Sequence, residues 1–163
     1  NVIIEASSKM QGRSDISIWH QAGARNFDDV KSGYAQAGVA SVKVSAFIAD
    51  MAEAYSWADV VICRSGALTV SELMSAGVAS ILVPYPFAVD DHQTANGMFL
   101  VNAGAAILCD QSGFTSEYLI EELNKLLQAK DRILNMSIAA RSLAKNDSAK
   151  IVANYCIEAA HDK

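Results

Sequence analysis

Short apolar runs alternate along the chain with stretches whose apolar positions recur every three or four residues. Ile16-Ser17-Ile18-Trp19-His20 reads as a strand, and a helix is predicted from Phe27 to Ala37, stopping near Gly38. Val42-Lys43-Val44 is a second strand. Asp50 then caps a helix running through Tyr55-Ser56-Trp57. Ala58-Asp59-Val60-Val61-Ile62-Cys63 is a third strand, followed by a helix from Leu68 to Ala76 that Gly77 ends. Ala79 to Pro84 is a fourth strand, closed by Pro84 and Pro86, and His92 to Asn102 is helical up to Gly104. Ala105 to Cys109 is the last strand. Helices are predicted over Thr115 to Gln128, Arg132 to Leu143 and Ser148 to Ala160.

Strands separated by helical patterns predict βαβ units and a parallel sheet. The strands are nearly continuous apolar runs, as expected where helices cover both faces. The fold class is therefore α/β, a doubly wound, Rossmann-like parallel sheet. Five strands are visible where such sheets often have six. The chain opens with Asn1-Val2-Ile3-Ile4-Glu5-Ala6, and Val2, Ile3 and Ala6 already keep helical spacing. That opening predicts a fragment of a longer protein. The first strand, and the strand-to-helix turn where these folds place a glycine-rich phosphate loop, would precede Asn1.

Composition narrows the function. The 163 residues suit one domain; 52% are hydrophobic and 19% charged, which argues for a large core and against disorder. The net charge is -5 and no Lys/Arg cluster occurs, so no nucleic-acid partner is expected. No apolar run approaches the roughly 20 residues of a membrane span. Cys63, Cys109 and Cys156 form no CxxC pair and, each in an apolar context, read as buried free thiols. No His/Cys/Asp spacing resembles a metal site, and no G-x-G-x-x-G follows a visible strand, so neither a metal nor a nicotinamide or flavin cofactor is expected.

Four segments carry candidate chemistry. Arg64-Ser65-Gly66-Ala67-Leu68-Thr69-Val70-Ser71-Glu72 follows a strand and opens a helix. Ser65 and Gly66 permit close backbone approach, and the unsatisfied amides around Ala67, Leu68 and Thr69 suit a diphosphate. Glu72 shares a face with Leu68 and Thr69, where a carboxylate can accept from a ribose diol. The same spacing equally describes a capped helix with an exposed Glu. In Pro84 to Asn96, the side chains of His92, Gln93 and Asn96 share a helical face suited to sugar hydroxyls, or form an ordinary solvated first turn capped by Asp90 or Asp91. His20-Gln21-Ala22-Gly23 ends the first visible strand. Ile48 and Met51, in Phe47-Ile48-Ala49-Asp50-Met51, offer an apolar wall for a base, or are simple core. All four segments would fall near one sheet edge, which implies an anion-plus-polyol cleft.

Ser65 to Glu72, Val83-Pro84-Tyr85-Pro86, Asp91 to Asn96, Ala103 to Ala106, Trp19-His20-Gln21 and Phe47 to Met51 closely resemble the MurG family. These are the bacterial N-acetylglucosaminyltransferases that convert lipid I to lipid II in peptidoglycan synthesis. The resemblance covers essentially the whole chain. It implies the C-terminal, donor-binding half of a two-domain GT-B enzyme, with residues 1–163 as the nucleotide-sugar domain and the N-terminal acceptor domain absent. It further implies that Ile48, with Met51 nearby, contacts uracil, and that Ala67, Leu68 and Thr69 present amides or hydroxyl to the diphosphate beside Ser65. Glu72 would bind the ribose, and Gln93, His92 and Asn96 the N-acetylglucosamine, with His20 and Arg64 as supports.

The implied reaction is inverting transfer from UDP-N-acetylglucosamine to the 4-hydroxyl of lipid I. Such a transfer needs a base for the acceptor hydroxyl and stabilisation of departing UDP. No residue here is a convincing base, so the fragment alone is expected to be inactive. Lipid I, and most contact with the cytoplasmic face of the inner membrane, would belong to the missing half. The alternatives are the donor-binding subunit of a split glycosyltransferase and a non-catalytic UDP-sugar-binding module.

Overall fold

The computed structural model describes residues 2–145 and 147–161. The chain opens with α1 (Val2–Lys9), followed by β1 (Ile18–Gln21), α2 (Phe27–Gln36), β2 (Val42–Ser45) and α3 (Met51–Trp57). It continues through β3 (Val60–Cys63), α4 (Ala67–Ala76), β4 (Ala79–Leu82), α5 (His92–Asn102) and β5 (Ala106–Leu108). Three helices close it: α6 (Ser116–Gln128), α7 (Lys130–Ser142) and α8 (Ser148–His161). Short 3-10 turns at Ala24–Asn26 and Val89–Asp91 precede α2 and α5.

All ladders are parallel, as the βαβ pattern requires. The described strands fall into two hydrogen-bonded sets. β1 pairs with β2, with Ile18 opposite Val42, and β3-β4-β5 form a second sheet in which Val60 faces Ala79 and Ser80 faces Ala106. No ladder joins the two among the described residues. Helix packing bridges them instead: α1 lies against both α2 and α6, and α3 lies against α4.

β4 is the centre of the fold, with all four residues buried. Its two faces serve two cores, as alternation along a strand dictates. Ala79 and Ile81 pack with Ala6, Leu119, Leu126 and Met136, and Leu82 packs with Val70, Leu73, Leu100 and Ala140. Helices therefore cover both faces of the three-stranded sheet. β1, β2 and β3 contain no fully buried residue.

Local signals account for most helix ends. The Asp50 carboxylate accepts the Glu53 N–H at 2.9 Å, and Thr115 Oγ1 accepts the Tyr118 N–H at 3.1 Å. Gly77 ends α4 in the left-handed region at φ 69°, with its N–H bonded to Leu73 O. The strand expected through Pro84 leaves the ladder after Leu82. One more bond, Val83 N–H to Cys63 O at 2.9 Å, carries it to the proline, which has no N–H to donate.

Candidate functional site

The loops leaving the carboxyl ends of the strands are laced together by side-chain hydrogen bonds. Gln21, the last residue of β1, accepts the Ile48 N–H on its Oε1 at 3.1 Å, which ties the β1 exit to the β2 exit. Tyr55 on α3 donates its phenol to Glu72 Oε2 on α4 at 2.8 Å. Ser65, between β3 and α4, donates its hydroxyl to the Gln93 carbonyl at 2.7 Å, and its own carbonyl accepts from Asn96 Nδ2 at 3.2 Å. Arg64 donates to Val83 O at 3.1 Å and Pro84 O at 2.8 Å in the β4 exit, and to Gln111 Oε1 at 2.6 Å beyond β5. Five loops thus form one connected surface.

α4 opens at the β3 exit with an uncapped first turn. Gly66 is its N-cap and forms no side-chain cap, and no acidic residue occupies the first turn. Ala67 and Leu68 are exposed, Leu68 by 81%. The first amides of a helix lack intrahelical partners and carry the positive end of its dipole. An anion placed there meets N–H donors with no competing carboxylate in that turn. Glu72 lies farther along the same helix, exposed, with a carboxylate fixed on one oxygen by Tyr55. Burial, more than the neighbouring Glu72 charge, pushes the Cys63 thiol up to about 12, so this thiol stays protonated beside the carboxylate.

α5 supplies the second wall. Gln93 Oε1 accepts the Tyr85 N–H at 2.9 Å, which fixes the carboxamide against the double-proline loop. The cap expected from Asp90 or Asp91 takes another form. Asp91 stands at the N-cap in the left-handed region, φ 51°, and its Oδ1 accepts from Thr94 Oγ1 at 2.6 Å rather than from a backbone amide. His92 and Asn96 share the start of this helix with Gln93.

Two expected positions differ in role from the sequence reading. Ser65 is 0% exposed, so it has no surface with which to touch a ligand. Its hydroxyl and carbonyl brace α5 instead. His20 points toward α2, where its Nδ1 lies 2.9 Å from the Tyr34 hydroxyl and the two rings meet edge to face. Burial lowers its basicity, which keeps the imidazole neutral at pH 7. Arg64 braces three loops. Ile48 is buried with its N–H engaged by Gln21, and Met51, at the first turn of α3, is half-buried.

Tyr55, Gln21 and Gln111 are structurally important residues that sequence reasoning did not single out for these roles. Tyr55 carried one available signal: it lies four residues after Met51, on the same face of α3. Among the described residues no group of three or more His, Cys, Asp or Glu side chains is arranged to hold a metal ion.

An uncapped helix N-terminus, an exposed carboxylate and a second helix that opens with amide side chains thus gather at the exits of parallel strands. Residues 1–154 match the glycosyltransferase family 28 C-terminal domain, and the chain belongs to that family. It is 56% identical over 144 residues to the UDP-N-acetylglucosamine–N-acetylmuramyl-(pentapeptide) pyrophosphoryl-undecaprenol N-acetylglucosamine transferase of Marinobacter nauticus, covering 88% of this chain and 39% of that protein. It is 47% identical over 160 residues to the transferase of the same name from Methylococcus capsulatus, covering 98% and 45%. The chain thus spans less than half the length of these relatives.

The crystal structure of Acinetobacter baumannii MurG is similar at a TM-score of 0.83 and 41% identity, over 94% of this chain and 46% of that one. The glycotransferase of kitacinnamycin shares the fold at a TM-score of 0.66 and 18% identity, over 94% of this chain and 38% of that one.

Proposed function

We propose that this chain is the donor half of an inverting N-acetylglucosaminyltransferase. It holds UDP-N-acetylglucosamine for transfer to lipid I, which yields lipid II. The carrying observation is the placement of the uncapped α4 N-terminus, Glu72 and Gln93 on one laced surface. In this reading Ala67, Leu68 and Thr69 face the diphosphate, and Glu72 takes the ribose hydroxyls. The backbone of Ile48 and the side chain of Met51 take the uracil, and Gln93, His92 and Asn96 meet the N-acetylglucosamine. The names of the curated relatives, which give the same donor and an undecaprenol-linked acceptor, support it.

The mechanism assigned to this half is leaving-group stabilisation. As the glycosidic bond breaks, negative charge grows on the β-phosphate of UDP. Preorganised amides and a helix dipole stabilise charge that develops in the transition state without reorganising. In this reading neither the base that deprotonates the acceptor hydroxyl nor the lipid contacts come from residues 1–163. No helix among the described residues is long and apolar enough to cross a membrane. Peripheral association with the cytoplasmic face of the inner membrane therefore rests in this reading on the acceptor-binding part.

Calorimetric titration of UDP-N-acetylglucosamine into wild type and Glu72→Ala tests the proposal. Hydrogen bonds to a charged group contribute about 1.5–3 kcal/mol, so the variant should bind roughly 10- to 150-fold more weakly. Equal affinity would remove Glu72 from the site.

A further inference from the structure

Glu72 is held by a residue from a different helix. Tyr55 is half-buried, with its ring packed against the core formed by Val70, Leu73 and Leu82, and only its hydroxyl reaches Glu72 Oε2, at 2.8 Å. A ring anchored in a core offers its hydroxyl in one direction. Burial, with the Glu72 carboxylate, raises the phenol's pKa well above its ordinary value, so it remains a donor throughout the neutral range. Each carboxylate oxygen accepts about two hydrogen bonds. With one site on Oε2 filled by Tyr55, Oε1 and the second site on Oε2 remain to receive two vicinal hydroxyls.

We propose that Tyr55 is a positioning residue of the donor site: it fixes the Glu72 carboxylate in the orientation that captures the ribose diol. The inference rests on the reading of Glu72 as the ribose ligand. It also gives α3 a double duty. Met51 in its first turn meets the base, and Tyr55 one turn later orients the sugar contact, so base and ribose recognition move as one rigid helix.

The test compares UDP with 2′,3′-dideoxyuridine diphosphate, which lacks the diol, by calorimetry on wild type, Tyr55→Phe and Glu72→Ala. Phenylalanine keeps the ring in the core and removes only the hydroxyl. Fixing a mobile side chain contributes about 0.5–1.5 kcal/mol, so Tyr55→Phe should weaken UDP roughly two- to tenfold and leave the dideoxy nucleotide unchanged. A merely structural tyrosine would weaken both nucleotides equally and leave their affinity ratio as in wild type. That result, together with a collapsed ratio in Glu72→Ala, would overturn the role of Tyr55 and keep Glu72 as the ribose ligand. A wild-type ratio retained in Glu72→Ala would overturn the ribose assignment and the role of Tyr55 with it.

Discussion

Replacing Ser65 with alanine separates a bracing role from a ligand contact. The hydroxyl is fully buried and makes one hydrogen bond, to the Gln93 carbonyl at 2.7 Å. That carbonyl lies inside α5, where helical geometry also pairs it with the N–H four residues on. The acceptor is therefore not orphaned by the substitution, and the loss is that of one net hydrogen bond, about 0.5–1.5 kcal/mol. For a chain of this size each kcal/mol lowers Tm by about 2–4 °C. The Ser65 carbonyl keeps its bond from Asn96, and Arg64 still ties the β3 exit to Val83 and Pro84. Geometry at the α4 N-terminus should survive, and UDP-N-acetylglucosamine affinity should change by less than about threefold, a difference of about 0.65 kcal/mol. Urea unfolding monitored by circular dichroism gives the first number and calorimetry the second. Undiminished stability with a tenfold or greater loss of affinity would show that the hydroxyl meets the ligand, and would refute the brace.

Two further outcomes follow from titration chemistry. Cys156 is exposed, not buried as its apolar context predicts, so a thiol reagent at pH 8 should label it rapidly, and Cys63, whose thiol burial pushes up to about 12, much more slowly; equal rates at the two sites would contradict the burial of Cys63. Lys9 of α1 bonds Glu5 at 2.7 Å and also Glu117 of α6, and the hydrogen bond from Lys9 holds the Glu117 carboxyl down at about 2 against an ordinary 4.5. A depressed carboxyl contributes stability that is present above its unfolded value and lost as pH falls through its folded one. The α1–α6 contact should therefore loosen as pH drops from about 4.5 toward 2, and hydrogen exchange in α1 should lose that pH dependence in Lys9→Met.

Much of this fold was legible because local rules set it. The helix from His92 to Asn102 and the Asp50 cap follow from periodicity and capping chemistry over a few residues. The features that escaped are pairings between distant positions. Tyr55 meets Glu72 across 17 residues, Ser65 meets Gln93 across 28, and Arg64 meets Gln111 across 47. No spacing rule selects such partners; packing of the helices on β4 does. The same cause hid the Ser65–Gln93 and His20–Tyr34 contacts. Ser65 and His20 both stand at strand exits or ends, where exposure is the usual expectation, yet α5 covers one and Tyr34 of α2 covers the other.

The split of the proposed contacts between α3 and α4 alters what a bound nucleotide does for the protein. The contacts proposed for uracil hang from the β1–β2 sheet side of the molecule, through Ile48 and α3. Those proposed for ribose and phosphates belong to α4, on the β3–β4–β5 side. A nucleotide occupying both bridges α3 and α4, which the Tyr55–Glu72 hydrogen bond already joins. A ligand at 100 times its dissociation constant stabilises the state it binds by about 2.7 kcal/mol. Spread over both helices, that energy should slow hydrogen exchange in α3 together with α4 when UDP is bound. Substrate would then be a structural component of the domain as well as its cargo.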